Sequence, residues 1–154
     1  VLLKESAIDY LKKTLLLKSF IITPNIPEAE KILGYDIKSM KKMEKCIREF
    51  NSLGVARVLL KGGHMFEKKH SITDLLLDDN TVYKFTSKRI ITKNTHGTGC
   101  SLASAITANL FLGKKLKSSV EIARKFVHEG IKKSYAIGLG NNPINHFINN
   151  KVKV

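Results

Sequence analysis

The run Val55-Ala56-Arg57-Val58-Leu59-Leu60 constrains this chain more than any other segment. It is β-branched and almost wholly apolar, whereas a strand with one wet face alternates apolar and polar residues. A run of this kind is expected to be covered on both faces, as in a parallel sheet flanked by helices. Lys61-Gly62-Gly63-His64 follows at its carboxyl end. In open α/β sheets that is the end where ligands collect.

The flanking segments agree with such a sheet. Residues 5–17 carry Ala7, Ile8, Leu11 and Leu15 at a helical period. Residues 19–22 read as a short buried strand, stopped by Thr23-Pro24-Asn25. Pro27 suits the first turn of a helix, Glu28 and Glu30 lie near its positive end, and Gly34 ends it. A second helix over residues 39–53 sets Met40, Met43, Ile47 and Phe50 on one face, and Gly54 terminates it. Beyond the Gly-Gly pair, strands are expected at 71–77, 82–86 and 89–91. Asp78-Asp79-Asn80 is the turn of a hairpin.

A small-residue helix then opens at Asn94-Thr95-His96-Gly97-Thr98-Gly99-Cys100 and runs to about Leu112. A last helix is expected over 117–136, with Val120, Ala123, Phe126, Val127 and Ile131 inward. The glycine- and asparagine-rich end, 138–154, reads as irregular. Strand, helix, helix, strand, hairpin, helix is an α/β order. It starts in mid-pattern, and the strands that its helices call for are expected from before Val1.

A hydrophobic content of 43% sustains a core, and no apolar run approaches the roughly 20 residues that span a bilayer. No secretory pattern opens the chain. Cys46 and Cys100, the only cysteines, form neither a zinc spacing nor a disulfide framework. A reducing, cytoplasmic setting is expected, with no membrane partner. The net charge of +14 raises nucleic-acid binding as a competing class. Lysine greatly outnumbers arginine, however, and is spread over the whole length rather than clustered. Such a charge reads as a solvated surface that tolerates anionic substrates.

Chemistry is concentrated at His96-Gly97-Thr98-Gly99-Cys100-Ser101. The glycines let a ligand approach the backbone, and the first amides of a helix receive anions through unpaired N–H groups and the helix dipole. In phosphoryl transfer the same donors stabilise the moving group. This is no Walker A loop, because the Gly-Lys-Ser/Thr ending is absent; a purely structural turn is the competing reading. Cys100 stands at the helix start, a position that favours the thiolate. It is a candidate proton acceptor, set against a small buried residue. Cys46 reads as core. Lys61, at a strand end, offers an ammonium group to a phosphate. Asn25 and Glu28 offer oxygens to a hydrated magnesium ion, or form an ordinary turn and helix start. Of the five histidines, His96 falls inside the candidate site and His64 beside it. His70, His128 and His146 default to surface or packing roles.

Thr23-Pro24-Asn25-Ile26-Pro27-Glu28-Ala29, Leu60-Lys61-Gly62-Gly63-His64 and the Asn94-to-Cys100 segment, in that order and spacing, resemble the hydroxymethylpyrimidine/phosphomethylpyrimidine kinases of thiamine biosynthesis. These are a branch of the ribokinase-like superfamily. The ending Gly138-Leu139-Gly140-Asn141-Asn142-Pro143-Ile144-Asn145-His146-Phe147 resembles that family's C-terminal signature, with Asn142 where a glycine is expected. The resemblance implies a ribokinase-like α/β fold with a mostly parallel central sheet flanked by helices. Residues 1–154 would be the C-terminal part of one kinase domain whose N-terminal portion is missing. It implies ATP and Mg2+, and phosphorylation of 4-amino-5-hydroxymethyl-2-methylpyrimidine and then of its monophosphate. Gly97, Thr98, Gly99 and Cys100 would be catalytic, the loop as anion hole and Cys100 in the place of the superfamily's aspartate. Lys61, Asn25, Thr95 and His96 would serve the nucleotide, and Glu28 the metal. The implied partners are the pyrimidine and ATP, with a homodimer or a missing N-terminal half completing the enzyme. Pyridoxal kinase activity and a non-catalytic kinase fragment are the alternatives.

Overall fold

Gly34 and Gly54 carry positive φ angles of 82° and 89°, and each ends a helix where the sequence places the stop. The computed structural model describes residues 5–63 and 70–148, with only the backbone of Glu5 and Ser6. His64 and the strands expected before Val1 lie outside the described residues. The chain forms two compact units, Val1–Arg89 and Ile90–Val154.

The first unit begins with a continuous helical stretch: α1 (Glu5–Tyr10), one π-helical turn (Leu11–Leu15) and α2 (Leu16–Lys18). Helices α3 (Ile26–Leu33) and α4 (Met40–Ser52) follow, then strands β1 (Arg57–Leu60), β2 (Ser71–Asp78) and β3 (Thr81–Lys88). Ser39 caps α4 by accepting from the Lys42 amide at 3.2 Å. The face expected to be apolar is inward: Met43, Ile47 and Phe50 are fully buried, and Met40 packs at the edge of the same cluster. Cys46 is buried with them, as expected. This cluster also takes Ile26, Ala29 and Ile32 from α3 and Val58, Leu60, Leu75 and Leu77 from the sheet. Truncating Phe50 to alanine would cost about 3–5 kcal/mol.

The regular sheet is antiparallel, in the order β1-β2-β3. Asp79, in the left-handed region at φ 52°, and Asn80 close the β2–β3 hairpin. Parallel pairing exists on the other side of β1, at the bridges Ile22↔Val58 and Asn25↔Lys61. The Ile22 amide donates to the Arg57 carbonyl (3.1 Å), Leu59 to Ile22 (2.8 Å) and Lys61 to Pro24 (2.9 Å). Thus β1 is interior, which accounts for its apolar sequence. Among the described residues of the first unit, though, parallel contact is confined to these bridges. The short connection from β1 to β2 explains why those two strands pair antiparallel, since a parallel crossover takes a dozen or more residues.

Two expected strands are not formed. The segment 19–22 is no buried strand. Ser19 ends the preceding helix with an extended backbone, its hydroxyl donating back to the Leu15 carbonyl at 2.7 Å. Phe20 remains 55% exposed, with the Arg57 guanidinium 4.5 Å above its ring. The strand expected at 89–91 is absent: the ladder closes with the Arg89 amide on the His70 carbonyl at 2.8 Å, and Ile91 is 92% exposed.

In the second unit, α5 (Thr98–Phe111) packs along α6 (Leu116–Lys132). Leu102 and Ile106 of α5, with Leu116, Val120, Ala123 and Val127 of α6, are its buried apolar residues on these helices. Helix α6 stops at Lys132 rather than 136, because Tyr135 and Ile137 are exposed and no apolar face extends the helix. The Ser134 hydroxyl instead closes on the Ile131 carbonyl at 2.6 Å. Phe126 and Ile131, expected inward, are half-buried. The end of the chain has no regular element through residue 148, as expected, but it is well tied. Ile144 is buried, and the Asn145 amide donates to the Gly130 carbonyl at 3.0 Å. A Cβ on Gly130 would lie 2.8 Å from the Asn145 carbonyl oxygen, so only glycine allows this approach.

Candidate active site

In the first unit, Asn25, Glu28 and Lys61 come together beside the end of β1 through the Asn25↔Lys61 bridge and the Asn25–Glu28 cap. Asn25 is the N-cap of α3. Its Oδ1 accepts from the Glu28 amide and its own amide donates to Glu28 Oε2. Lys61 emerges directly from buried β1 and is half-exposed. Gly62 after it has a steric reason to be glycine: a Cβ there would lie 1.9 Å from the Thr73 carbonyl oxygen. Two residues not singled out in the sequence fix this turn. The buried Asp74 carboxylate accepts from the Gly62 amide at 2.8 Å, and the Arg89 guanidinium donates to the Gly63 carbonyl at 3.0 Å. Both stand on the β2–β3 side, far in sequence from Lys61, with no local pattern to betray them.

Among the described residues no three His, Cys, Asp or Glu side chains form a metal cluster. A hydrated magnesium ion shared with phosphates needs only one or two carboxylates. Glu28 fits that donor set, being exposed and committing only Oε2 to the cap.

In the second unit, Thr95, His96, Gly97, Thr98, Gly99 and Cys100 form one loop running into α5. Gly97 is the N-cap at φ 81° and supplies no side-chain cap. The Thr98 hydroxyl and amide both close back on the Thr95 carbonyl, at 3.1 and 3.4 Å. The Ser101 amide makes the first intrahelical bond, to Gly97 at 2.9 Å. This leaves the Gly99 and Cys100 amides in the first turn, where helix geometry offers no intrahelical acceptor. Nothing within 4 Å would meet a Cβ on Gly97, so the approach to these amides is open. Cys100 is exposed at their edge, not a small buried residue. The arrangement presents N–H donors and the positive end of a 14-residue helix to an anion, with a thiol beside them.

A cleft of about 600 Å³ runs from this helix start along α5. Cys100, Ser101, Ser104, Ala105, Phe126 and His146 are among its lining residues. His146 was expected to be a surface or packing residue, yet its Nε2 lies 2.8 Å from Ser101 Oγ, in the first turn of α5. Its ring is tilted against Phe126, with centroids 6.5 Å apart. The only sequence signal for it is its place at the end of the C-terminal motif.

The model of the phosphomethylpyrimidine kinase family matches residues 1–145. The hydroxymethylpyrimidine/phosphomethylpyrimidine kinase of Bacillus subtilis (strain 168) is 40% identical over 95% of this chain, which covers 54% of that protein. The thiamine biosynthesis bifunctional protein ThiED of Geobacter sulfurreducens is 37% identical over 96% of the chain and 30% of that protein. Among solved structures, the pyridoxal kinase of Staphylococcus aureus in complex with AMP-PCP and pyridoxal superposes with a TM-score of 0.90. It is 29% identical, over 99% of this chain and 56% of its own. The phosphomethylpyrimidine kinase of Clostridium difficile 630 gives 0.66 at 35% identity, over 83% and 50%.

The fold is that of the ribokinase-like α/β kinases. This chain belongs to the phosphomethylpyrimidine kinase family. It spans about half the length of the Bacillus subtilis relative.

Proposed function

We propose that this chain is the ATP-handling, C-terminal part of a single kinase domain that phosphorylates 4-amino-5-hydroxymethyl-2-methylpyrimidine and then its monophosphate, in thiamine biosynthesis. The observation that carries this reading is the open start of α5, with glycine at its N-cap and Cys100 exposed in its first turn. A helix start of this kind suits the terminal phosphate of ATP.

The substrate's hydroxymethyl oxygen attacks the terminal phosphorus, the bond to the bridging oxygen breaks, and ADP leaves. The amides of Gly99 and Cys100 receive charge on the transferring group, and Cys100 Sγ takes the hydroxyl proton. Gly97 and Thr98 hold the backbone that presents them, with Thr95 and His96 on the nucleotide side of the loop. Lys61 is assigned to the nucleotide phosphates. When bound, magnesium shares the phosphate charge, and Glu28 with Asn25 would hold it.

The test is mass-spectrometric detection of product from the purified chain with ATP, Mg2+ and the hydroxymethylpyrimidine. It is run with and without the N-terminal half of the Bacillus subtilis relative. Product that needs the added half is the expected result, and Cys100→Ser should then slow it by about a hundredfold or more. No product in either arm from a folded sample would overturn the reading in favour of a non-catalytic fragment. The TM-score of 0.90 to a pyridoxal kinase favours a second reading, pyridoxal phosphorylation. Pyridoxal as the better substrate in the same assay would select it.

A further inference from the structure

Asn142 is buried in an otherwise exposed stretch, and its side chain makes four hydrogen bonds. Its Oδ1 accepts from the Ile137 amide (2.9 Å) and the Gly138 amide (2.8 Å). Its Nδ2 donates to the Gly138 carbonyl (3.2 Å) and the Gly140 carbonyl (3.1 Å). One amide side chain thus satisfies both the donors and the acceptors of the turn it folds under. Its main chain faces the other way. The Asn142 carbonyl accepts from the His96 amide at 3.1 Å, and the Ile144 amide donates to the His96 carbonyl at 3.3 Å, on either side of the His96↔Pro143 bridge. His96 immediately precedes Gly97, the N-cap of α5. On the far side, Ile144 is buried and Asn145 is bonded to Gly130 on α6.

We propose that Asn142 is a positioning residue for the phosphate-receiving loop. Its side chain locks the turn at 137–140, which holds residues 142–144 as a short strand clamping His96, and so sets where Gly97 turns the chain into α5. The proposal rests on the reading of that helix start as a phosphate site. The clamp itself is a feature of the backbone and can be tested without a ligand. Asn142 touches no reacting atom in this scheme; it acts through His96.

The experiment compares the full chain with Asn142→Ala and Asn142→Asp by amide hydrogen exchange and by calorimetric titration with ADP. Asn142→Ala should speed exchange about tenfold at 137–140 and also at His96, with ADP binding weakened by about tenfold. Asn142→Asp keeps both accepted bonds and loses the two donated ones, so it should fall between the alanine variant and wild type. Faster exchange confined to 137–140, with His96 unchanged, overturns the proposal. So does a lowered melting temperature with ADP affinity intact, the mark of a structural role alone. If wild type binds no ADP, the phosphate reading fails and exchange at His96 still decides the clamp. If Asn142→Ala does not fold, the same criteria apply to Asn142→Asp.

Discussion

The side chain of Asn25 accepts from the Glu28 amide at 2.9 Å while the Glu28 carboxylate accepts from the Asn25 amide at 2.8 Å. The two residues assigned to magnesium and phosphate therefore also close the start of α3 on each other, a reciprocal cap. Cap and ligand roles can be separated. Asn25→Ala should lower stability by about 1 kcal/mol, read from urea unfolding. Glu28→Gln keeps an acceptor for the cap but loses the charge, so its unfolding midpoint should stay near wild type. Its Mg2+-dependent gain in ADP affinity, measured by calorimetry, should shrink. A Gln variant that binds Mg-ADP as wild type would remove Glu28 from the metal role.

Gly97 combines φ 81° with open space around its Cα. Gly97→Asp places a carboxylate over the first-turn amides of α5, where it satisfies the donors itself and repels phosphate. Aspartate tolerates the left-handed region better than most residues, so the far-ultraviolet circular dichroism should be unchanged. ADP binding should be lost. Retained binding would place the nucleotide elsewhere.

Adjacent glycines should respond differently to the same change. Gly62→Ala drives a Cβ to 1.9 Å from the Thr73 carbonyl oxygen. Relief requires β2 or the Lys61 turn to shift, at a cost of about 3 kcal/mol. Gly63→Ala meets nothing within 4 Å, and its effect should stay within about 0.5 kcal/mol. Equal midpoints for the two variants in urea unfolding would contradict the tight packing at Gly62.

The two thiols should react apart. Burial, and secondarily the charges of Glu49 and Glu30, push the Cys46 thiol up from its ordinary 9.0 to about 12. The folded state therefore holds this proton over a range where the unfolded chain has released it. Stability should be level below about pH 9 and decline as the pH rises toward 12. Tyr35, also raised by burial, acts in the same sense. Urea midpoints at about pH 8 and about pH 10.5 check the sign, and Cys46→Ala should lessen the fall. In thiol-reagent kinetics, exposed Cys100 should react at once and Cys46 only on unfolding.

Much of this was legible in the sequence for local reasons. Asn25, Pro27 and Gly34 bracket α3 because caps and φ preferences act within a few residues. The apolar face of α4 and the run into β1 announce their burial by periodicity. The turn at Gly97 was legible because a glycine before a small-residue run marks a helix start within one short segment, whereas the pairing of His96 with residues 142–144 was not. What escaped depends on partners distant in the chain. The side of β1 that pairs parallel, Asp74 under Gly62, and His146 on Ser101 are all decided by tertiary approach. Phe20 misleads because an arginine over its ring lets an aromatic residue stay in water. The end of α6 was overestimated because lysines and serine carry helical propensity past the last buried position.

The Lys61 amide on the Pro24 carbonyl has a thermodynamic consequence. Two backbone segments laced together in the free protein have already lost their backbone entropy to folding. A charged ligand meeting Asn25 and Lys61 would find their spacing preset and would have only side chains left to order. Association at this place should then carry a small entropic penalty, and the folded core beneath β1 will have supplied much of its affinity in advance.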